Sequence, residues 1–177
     1  MKILLISDSH LYEDYLSKVV DKYKNRVDYI IHCGDSSLSK NDPLLKTIDI
    51  VVLGNHDIID LPKYAIFNNI FVTHGHLYDV YRDYNQLIKI CKENNYTVCL
   101  HGHTHVPTHQ IHEGIHFINP GSLMMNRGSY GYGTYAILDI CDSFNVTFYN
   151  HITHEICPQS ILDEGLDLLE QFKKLCK

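Results

Sequence analysis

The amino-acid sequence predicts an α/β fold in which two β-sheets pack together with helices on the outside. Two observations support this prediction. In the first half of the chain, short apolar runs alternate with amphipathic stretches, which is typical of β-α-β units with parallel strands. From residue 97 onward, short strand patterns follow one another and are separated by turn signals such as NPGS, which is typical of meander-like strands.

The first half of the chain supplies buried strands and amphipathic helices. Apolar runs that end in polar or glycine-containing loops indicate the strands. Between the first two runs, apolar residues from Leu16 to Tyr23 recur at helical spacing, so this region predicts a β-α-β unit. The expected elements are strands at 2–7, 28–32, 49–53, 64–67 and 70–73 and a helix at 81–94.

The second half combines short strands with a C-terminal helix over 160–176. Acidic residues early in this helix, and Lys173 and Lys174 near its end, match the helix dipole. Gly165 weakens the helical pattern, because glycine is a poor helix former. The expected strands lie at 97–101, 108–112, 115–118, 134–140 and 144–150.

The composition predicts one globular domain over residues 1–177. At this length roughly 70% of the unfolded chain's surface can be buried, so a core forms without disulfides or structural metal. The formal net charge of −6 argues against a general affinity for nucleic acid or an anionic membrane. The N-terminal apolar run is too short for a signal peptide, and the six cysteines contain no Cys-x-x-Cys pair. We therefore expect a cytoplasmic protein with reduced, mostly buried cysteines.

Five short motifs each follow a predicted strand and supply residue types that bind metal. Ligands bind at the carboxyl ends of strands in open α/β sheets, so we expect these motifs to meet. Two motifs contain i,i+2 pairs, and in extended backbone this spacing points both side chains to one face. The motifs are Asp8-Ser9-His10, Gly34-Asp35, Gly54-Asn55-His56-Asp57, His74-Gly75-His76 and Gly102-His103-Thr104-His105.

The ligand types restrict the metal. Asp, Asn and neutral imidazole without thiolate suit Mn²⁺, Fe, Zn²⁺, Co²⁺ or Ni²⁺. The seven candidate ligands exceed the four of a structural zinc site, so two ions that share a carboxylate explain them best. Two ions about 3.5–4 Å apart form the clamp used in phosphoester hydrolysis, and they would supply the positive charge that this acidic chain lacks.

The motif series D-x-H, G-D, G-N-H-[DE], H-G-H and G-H-T-H, followed by N-P-G-S, resembles the calcineurin-like metallophosphoesterases. The resemblance covers Ile3 to about Ile140, and the chain length is similar to the small YfcE-like phosphodiesterase branch. It implies a four-layer α/β/β/α sandwich of two mixed β-sheets and two divalent ions, with Mn²⁺ expected first. It assigns Asp8, His10, Asp35 and His105 to one ion and Asp35, Asn55, His74 and His103 to the other, with Asp35 as the bridge.

The resemblance also implies the catalytic residue. The matching histidine of G-N-H-[DE], here His56, is not a ligand but lies near the substrate phosphate, where it stabilises the transition state or protonates the leaving group. Asp57 either orients His56 or caps a turn, and we prefer the cap. His76 supports a ligand or faces substrate. Arg127 either contacts a substrate phosphate or is a solvated loop residue.

Seven further histidines lie outside this set. Two of them, His32 and His101, stand at strand ends near the motifs and are predicted to be hydrogen-bonded strand residues. The other five alternate with apolar residues or lie in loops, so we expect them at the surface. They are His109, His112, His116, His151 and His154.

The expected function is hydrolysis of small phosphodiesters, with monoesters as an alternative, by attack of a metal-bound hydroxide. A second hypothesis is a non-catalytic scaffold that binds protein partners, as in the retromer subunit that resembles these enzymes. Such scaffolds have lost the G-N-H histidine, whereas His56 is present. A nuclease would want a basic groove, which this composition does not offer. We expect no membrane partner, and a homo-oligomer remains one alternative.

Overall fold

Ten strands and three α-helices make up the regular structure of residues 1–10, 13–128, 131–141 and 143–175, which this computed structural model describes. Short 3-10 helices cover Pro43–Lys46 and His76–Tyr78. In chain order the elements are β1 (Lys2–Ile6), α1 (Glu13–Tyr23), β2 (Tyr29–His32), β3 (Ile50–Val51), β4 (Tyr64–Phe67), β5 (Ile70–Thr73), α2 (Asn85–Asn94), β6 (Val98–Leu100), β7 (Pro107–His112), β8 (Ile115–Pro120), β9 (Thr134–Ile140), β10 (Phe144–Asn150) and α3 (Gln159–Leu175).

The strands form two mixed five-stranded sheets. The first sheet has the order β10-β9-β1-β2-β3, and the second has the order β4-β5-β6-β8-β7. In the first sheet β1, β2 and β3 run parallel, β9 pairs antiparallel with β1, and β10 pairs antiparallel with β9. In the second sheet β5, β6 and β8 are parallel, and β4 and β7 are antiparallel edge strands. The predicted pair of mixed sheets is confirmed.

Strand β1 shows how the layers are stacked. Successive side chains of a strand point to opposite faces. Ile3 and Leu5 therefore pack on β5 and β6 of the second sheet, whereas Leu4 and Ile6 pack on α1. All four side chains are buried, which explains the unbroken apolar run in the sequence.

Helix α2 covers the outer face of the second sheet. Its Leu87 and Cys91 pack against Phe71, Cys99 and Phe117, and helix α3 lies along the edge strand β7. The order of layers is therefore α1, first sheet, second sheet, α2. This is the predicted four-layer α/β/β/α sandwich, and its helices lie outside the two sheets as expected.

The element boundaries differ from the predicted ones mainly at α2. The predicted helix over 81–94 is wrong for its first turn, because α2 begins at Asn85. The Asp83 carboxylate accepts the Asn85 N–H over 2.9 Å and ends the preceding turn at this point. The strand predicted over 49–53 is reduced to Ile50–Val51, since the chain then leaves the sheet toward the Gly54 loop.

Not all of the remaining histidines lie at the surface. His151, which the sequence places at the surface, is buried instead. Its Nδ1 accepts a hydrogen bond from the Gly133 N–H over 2.7 Å. His109 and His116 are half-buried, with Nε2 and Nδ1 2.8 Å apart beside the Phe144 ring. In the sequence, His109 and His116 alternate with apolar residues. This local pattern does not reveal that Phe144 of β10, in the other sheet, packs beside them.

The prediction for His32 and His101 is confirmed. His32 is fully buried, with Nε2 3.0 Å from the Ser9 hydroxyl. His101 is also fully buried, and its Nε2 lies 3.1 Å from the Tyr84 hydroxyl. Burial lowers the pKa of each imidazole to about 4. Both histidines are therefore neutral in the folded protein near pH 7.

The buried His101 predicts acid sensitivity of the metal-free protein. The unfolded chain takes up a proton near pH 6.5, whereas folded His101 does so only near pH 4, so stability falls as the pH decreases between these values. From pH 7 to pH 5 this group should remove about 2 kcal/mol of unfolding free energy. Urea denaturation at both pH values measures it. His101→Asn should lose stability less steeply than the wild type, and equal slopes would contradict the assignment.

The described cysteines are all free thiols. Cys33, Cys91 and Cys99 are buried, Cys157 is half-buried and Cys141 is exposed. The sixth cysteine, at position 176, lies outside the described residues. Within the described ranges, the helices are too short or too polar to span a bilayer.

Candidate metal centre

The candidate metal centre lies where the carboxyl ends of parallel strands from both sheets meet. Backbone hydrogen bonds join the loops within each sheet, from Asp8 to the Gly34 carbonyl and from Gly102 to the His74 carbonyl, both over 3.0 Å. The two sheets are joined by the His103 N–H, which donates to Asp8 Oδ2 over 3.1 Å. The motif residues at this edge follow β1 (Asp8, His10), β2 (Asp35), β3 (Asn55, His56), β5 (His74) and β6 (His103, His105).

One group of candidate ligands contains Asp8, His10 and His105. One ligand atom from each of the three lies within 4.8 Å of the others. His105 Nε2 is 3.1 Å from Asp8 Oδ1, and His10 Nε2 is 3.4 Å from His105 Nε2. Asp8 and His10 follow β1 of the first sheet and His105 follows β6 of the second, so the fold brings them together.

A second group contains Asp8, Asp35 and His74, whose ligand atoms also lie within 4.8 Å of one another. His74 Nε2 is 3.4 Å from Asp35 Oδ2 and 3.8 Å from Asp8 Oδ1. The carboxylate common to both groups is therefore that of Asp8, whereas the resemblance gives the bridging place to Asp35. Asp8 follows the central strand of the first sheet, which explains why its side chain reaches both groups.

Two buried atoms of this second group fit a cation. Asp8 Oδ1 and His74 Nε2 are buried and have no hydrogen-bond partner among the described residues. Such groups are costly unless something satisfies them. His74 Nδ1 lies 2.7 Å from the Cys33 carbonyl, so it carries the proton and leaves the Nε2 lone pair free for a metal. Carboxylate and imidazole donors of this kind suit a divalent transition metal.

Burial and neighbouring charges favour the protonation states in which most of these donors bind metal. Burial opposes the charge of Asp8, but His74, His105 and the Ser7 hydroxyl outweigh it and hold the pKa of the Asp8 carboxyl well below its usual range. Burial, reinforced by His74, lowers the pKa of His103 to about 4. Burial likewise lowers the pKa of His10. A metal binds carboxylates and neutral imidazoles, which are the forms favoured here.

His74 differs from these imidazoles. Burial tends to lower its pKa, but the charges of Asp8 and Asp35 outweigh burial and raise it. The two carboxylates therefore make the surroundings of His74 favourable for positive charge. A divalent ion held by Asp8, Asp35 and His74 would supply such a charge.

The remaining predicted ligands lie beside these groups. The His103 ring is 5.1 Å from the His74 ring, but His103 is in neither three-residue group. Asn55 is exposed, in the loop between Gly54 and His56. The His56 N–H donates to Asp35 Oδ1 over 2.7 Å and so holds this loop against the second group. Both ligand roles stay predictions.

His56 lies on the solvent side of the first group. Its side chain is exposed, and its ring centroid is 5.5 Å from that of His10. An exposed imidazole beside candidate ligands is accessible to a bound substrate. This position is compatible with the predicted role in proton transfer.

Asp57 holds two site loops together instead of contacting His56. Its Oδ2 accepts the N–H groups of Asp35 and Gly54 over 2.9 and 2.8 Å. Its Oδ1 accepts the Ser36 hydroxyl and the Ser37 N–H over 2.9 and 2.8 Å. These four bonds are those of a loop cap, the alternative that the sequence favoured.

The backbone at the ligands is left-handed, which the sequence argument did not anticipate. The expectation that extended i,i+2 pairs share a face gave the wrong reason for their convergence, because these residues have φ between 49° and 69°. Only a well-supported site keeps such conformations in residues other than glycine. Asp and His tolerate them better than most residues, which was the available signal. The residues are Asp8, His10, Asp35, His103 and His105.

Two glycines permit this close approach. A Cβ on Gly54 would overlap the Asp35 side chain, and a Cβ on Gly102 would overlap the Ser7 hydroxyl. The Ser7 hydroxyl donates to Asp8 Oδ2 over 2.6 Å. Neither position has room for a Cβ atom, so the glycines of G-N-H-[DE] and G-H-T-H are sterically required.

The NPGS segment supports the centre through hydrogen bonds that the motif analysis missed. The Ser122 hydroxyl donates to the Asp8 carbonyl over 2.8 Å. Asn119 Nδ2 donates to the Gly102 carbonyl over 2.8 Å and to the Thr104 hydroxyl over 2.9 Å. Both side chains are buried, so the segment is more than a plain turn.

His76 and Arg127 lie at the margin of the centre. The His76 ring is half-buried and 5.3 Å from the His74 ring. The backbone N–H of Arg127 donates to the His105 carbonyl over 2.9 Å, and the Arg127 side chain is exposed. Both residues are close enough to influence the ligands or a bound substrate.

Residues 1–143 of the chain match the model of the calcineurin-like phosphoesterase superfamily domain. The probable metallophosphoesterase YsnB of Bacillus subtilis (strain 168) is 35% identical over 162 residues, covering 88% of this chain and 95% of that protein. A conserved uncharacterized protein from Streptococcus pneumoniae TIGR4, a predicted phosphoesterase, has a solved structure with a TM-score of 0.81 and 36% identity, covering 89% and 92% of the two chains. Vps29 of Entamoeba histolytica, solved with Zn²⁺, has a TM-score of 0.68 at 20% identity over 89% and 96% of the chains, which is a likeness of fold alone.

Proposed function

The chain belongs to the calcineurin-like phosphoesterase superfamily, and from this premise we propose that it hydrolyses small phosphodiesters with two divalent ions. The observation that supports this most is the pair of ligand groups around Asp8, with two buried donor atoms that lack hydrogen bonds among the described residues. Monoesters are the alternative substrate class. Mn²⁺ is the metal we propose first, with Ni²⁺, Co²⁺, Zn²⁺ or Fe as alternatives.

The proposed ligands divide between two ions. One ion would be held by Asp8, His10, Asp35 and His105, and the other by Asp35, Asn55, His74 and His103. Asp35 is the shared ligand that the motif series implies, and Asp8 is the carboxylate found in both groups. Two such ions, when bound, would lower the pKa of an attacking water and stabilise the phosphoryl oxygens.

His56 is the proposed catalytic residue. Its exposed imidazole can reach a substrate from the solvent side, and its position is set by the bond from its own N–H to Asp35. An imidazole can act as a general acid, so His56 would donate a proton to the leaving alcohol oxygen. Asp57 would act only indirectly, by fixing the Asp35 and Gly54 loops.

The proposed activity is tested with metal-free protein reloaded separately with Mn²⁺, Ni²⁺, Co²⁺ or Zn²⁺. We expect hydrolysis of bis-p-nitrophenyl phosphate with at least one metal, a lower rate with p-nitrophenyl phosphate, and none after EDTA treatment. The released p-nitrophenolate is measured by absorbance. Failure of every reloaded form to turn over either substrate would contradict the proposal, provided that calorimetry shows the metal is bound.

A non-catalytic scaffold is the second candidate, because Vps29 shares this fold. The presence of His56 argues against a scaffold, since the retromer-type scaffolds that resemble these enzymes have lost the matching histidine. Metal binding without turnover would support the scaffold. Turnover that depends on His56 would exclude it.

A further inference from the structure

The Arg127 guanidinium lies beside a pair of aromatic rings at the margin of the metal centre. Its guanidinium carbon lies 5.8 Å from the centroid of the Tyr81 ring and 5.9 Å from that of Phe172. The two rings also contact each other, with centroids 5.6 Å apart. A cation near two aromatic rings is attracted by both of them and loses conformational freedom. We call Tyr81, Arg127 and Phe172 the arginine clamp.

The arginine clamp is connected directly to the candidate ligands. The Tyr81 hydroxyl donates to the His103 carbonyl over 3.0 Å, and its ring centroid is 5.1 Å from that of His103. The Arg127 N–H donates to the His105 carbonyl. These two hydrogen bonds, to the carbonyls of His103 and His105, fix the arginine clamp relative to the metal centre. The Tyr81 ring contacts both His103 and the guanidinium, so it sets the cation beside the ligands.

The charge of Arg127 is available for a ligand. Within the part of the chain that the structure describes, no Asp or Glu forms an ion pair with Arg127, although the chain carries a net charge of −6. Several lysines, by contrast, are paired with carboxylates. A guanidinium that is exposed, oriented and without a carboxylate partner is suited to bind an anion through parallel N–H donors.

We propose that the arginine clamp is a subsite for a second anionic group of the substrate, such as a further phosphate or a carboxylate. This inference rests on the proposed function, since the reacting phosphoryl group would lie at the ligands themselves. The cation beside them would then face a neighbouring part of the same molecule. The substrate class is thus a phosphodiester that carries an additional negative charge.

Phe172 is a positioning residue in this subsite. It belongs to α3, which lies beyond the residues 1–143 that match the family model. Helix α3 contacts β7 and carries the Phe172 ring back to the margin of the centre. The C-terminal helix therefore adds a wall to a site whose ligands all precede it.

The subsite is tested with two p-nitrophenyl esters that differ only in the second anion. They are thymidine 5′-(p-nitrophenyl phosphate) and the same compound with a 3′-phosphate. For the Mn²⁺-loaded protein we expect KM to be about ten-fold lower with the 3′-phosphate, the size of one charge-assisted hydrogen-bonded contact at an exposed site. Arg127→Ala should reduce this KM ratio to about one. Arg26→Ala, which removes the same charge from an exposed position at the opposite sheet edge, should retain the ratio.

Phe172→Leu tests the positioning role. It keeps an apolar side chain on α3 but removes the ring, so the KM ratio should fall to about three. The double variant Phe172→Leu/Arg127→Ala should have the same KM values as Arg127→Ala, because the ring acts only through the arginine. An unchanged ratio in Phe172→Leu, or KM values in the double variant that differ from those of Arg127→Ala, would overturn this role.

Two outcomes would overturn the subsite. A wild-type ratio of one shows that no second anion is recognised, and an equal rise of KM for both esters in Arg127→Ala shows that Arg127 binds the reacting phosphoryl group. Calorimetry with thymidine 3′,5′-bisphosphate and thymidine 5′-monophosphate gives a readout without turnover. If neither ester is hydrolysed, the proposed function fails, and the ratio of the two Kd values still decides the subsite.

Discussion

Replacing Asp8 with Asn is expected to lower phosphodiester hydrolysis about 1,000-fold, because the proposed centre would lose a buried anionic ligand. Asp8 is fully buried and is the one carboxylate present in both ligand groups. Asparagine keeps the side-chain volume but removes the charge. Hydrolysis of bis-p-nitrophenyl phosphate and metal content after dialysis, measured by inductively coupled plasma mass spectrometry, report the effect.

The matched control is Asp21→Asn, which removes the same charge from an exposed side chain of α1. It should retain activity and metal content. Unfolding of metal-free Asp8→Asn, followed by circular dichroism, separates loss of metal from loss of fold. An Asp8→Asn variant that binds metal and turns over like the wild type would exclude Asp8 from the centre.

Asp35→Asn decides which carboxylate is shared. Both variants should lose activity, but the one that removes the shared ligand should retain no tightly bound metal, and the other should retain one ion. Asp35 is the bridge that the motif series implies, whereas Asp8 is common to the two groups in the structure. Wild-type metal content in both variants would contradict the whole ligand set.

His56→Ala is expected to lower turnover about 100-fold or more while metal stoichiometry stays the same. The side chain is exposed and lies in neither ligand group, so its removal does not take a donor from a proposed ion. The loss should be in kcat, because the proton is transferred as the leaving group departs. Metal content and Michaelis–Menten kinetics on bis-p-nitrophenyl phosphate measure both parts.

His154→Ala is the control for His56→Ala, since it removes a histidine whose contact is with Tyr135, away from the centre. It should leave kcat and metal content at wild-type values. If His56→Ala keeps wild-type turnover, His56 has no part in the chemistry. If it loses metal as well, His56 belongs to the ligand set instead.

Much of the fold could be predicted because its signals are local. The unbroken apolar run of β1 and the helical spacing in α1 and α2 depend only on neighbouring residues, and both patterns correspond to buried faces. The helix start at Asn85 was missed because the Asp83 carboxylate closes a turn there, a competition that apolar spacing does not show.

The candidate ligands were also identifiable in sequence, because each motif pairs a donor residue with a strand end. Their mutual geometry was not. The backbone is left-handed at His10 and His105, and the Asp8 carboxylate belongs to both ligand groups. Both features depend on the packing of loops from two sheets against each other. Asp57 illustrates the same limit, since its partners lie about twenty residues upstream as well as three residues away.

The sequence by itself determined the α/β fold, the five motifs and their order, since these depend on residue type and short-range period. Only the tertiary structure decided that His151 is buried, that NPGS supports Asp8, and that Phe172 returns from the C-terminal helix to hold Arg127. The physical reason is separation along the chain. Contacts between residues tens of positions apart are set by how the layers pack, and no local pattern encodes which side chains will meet.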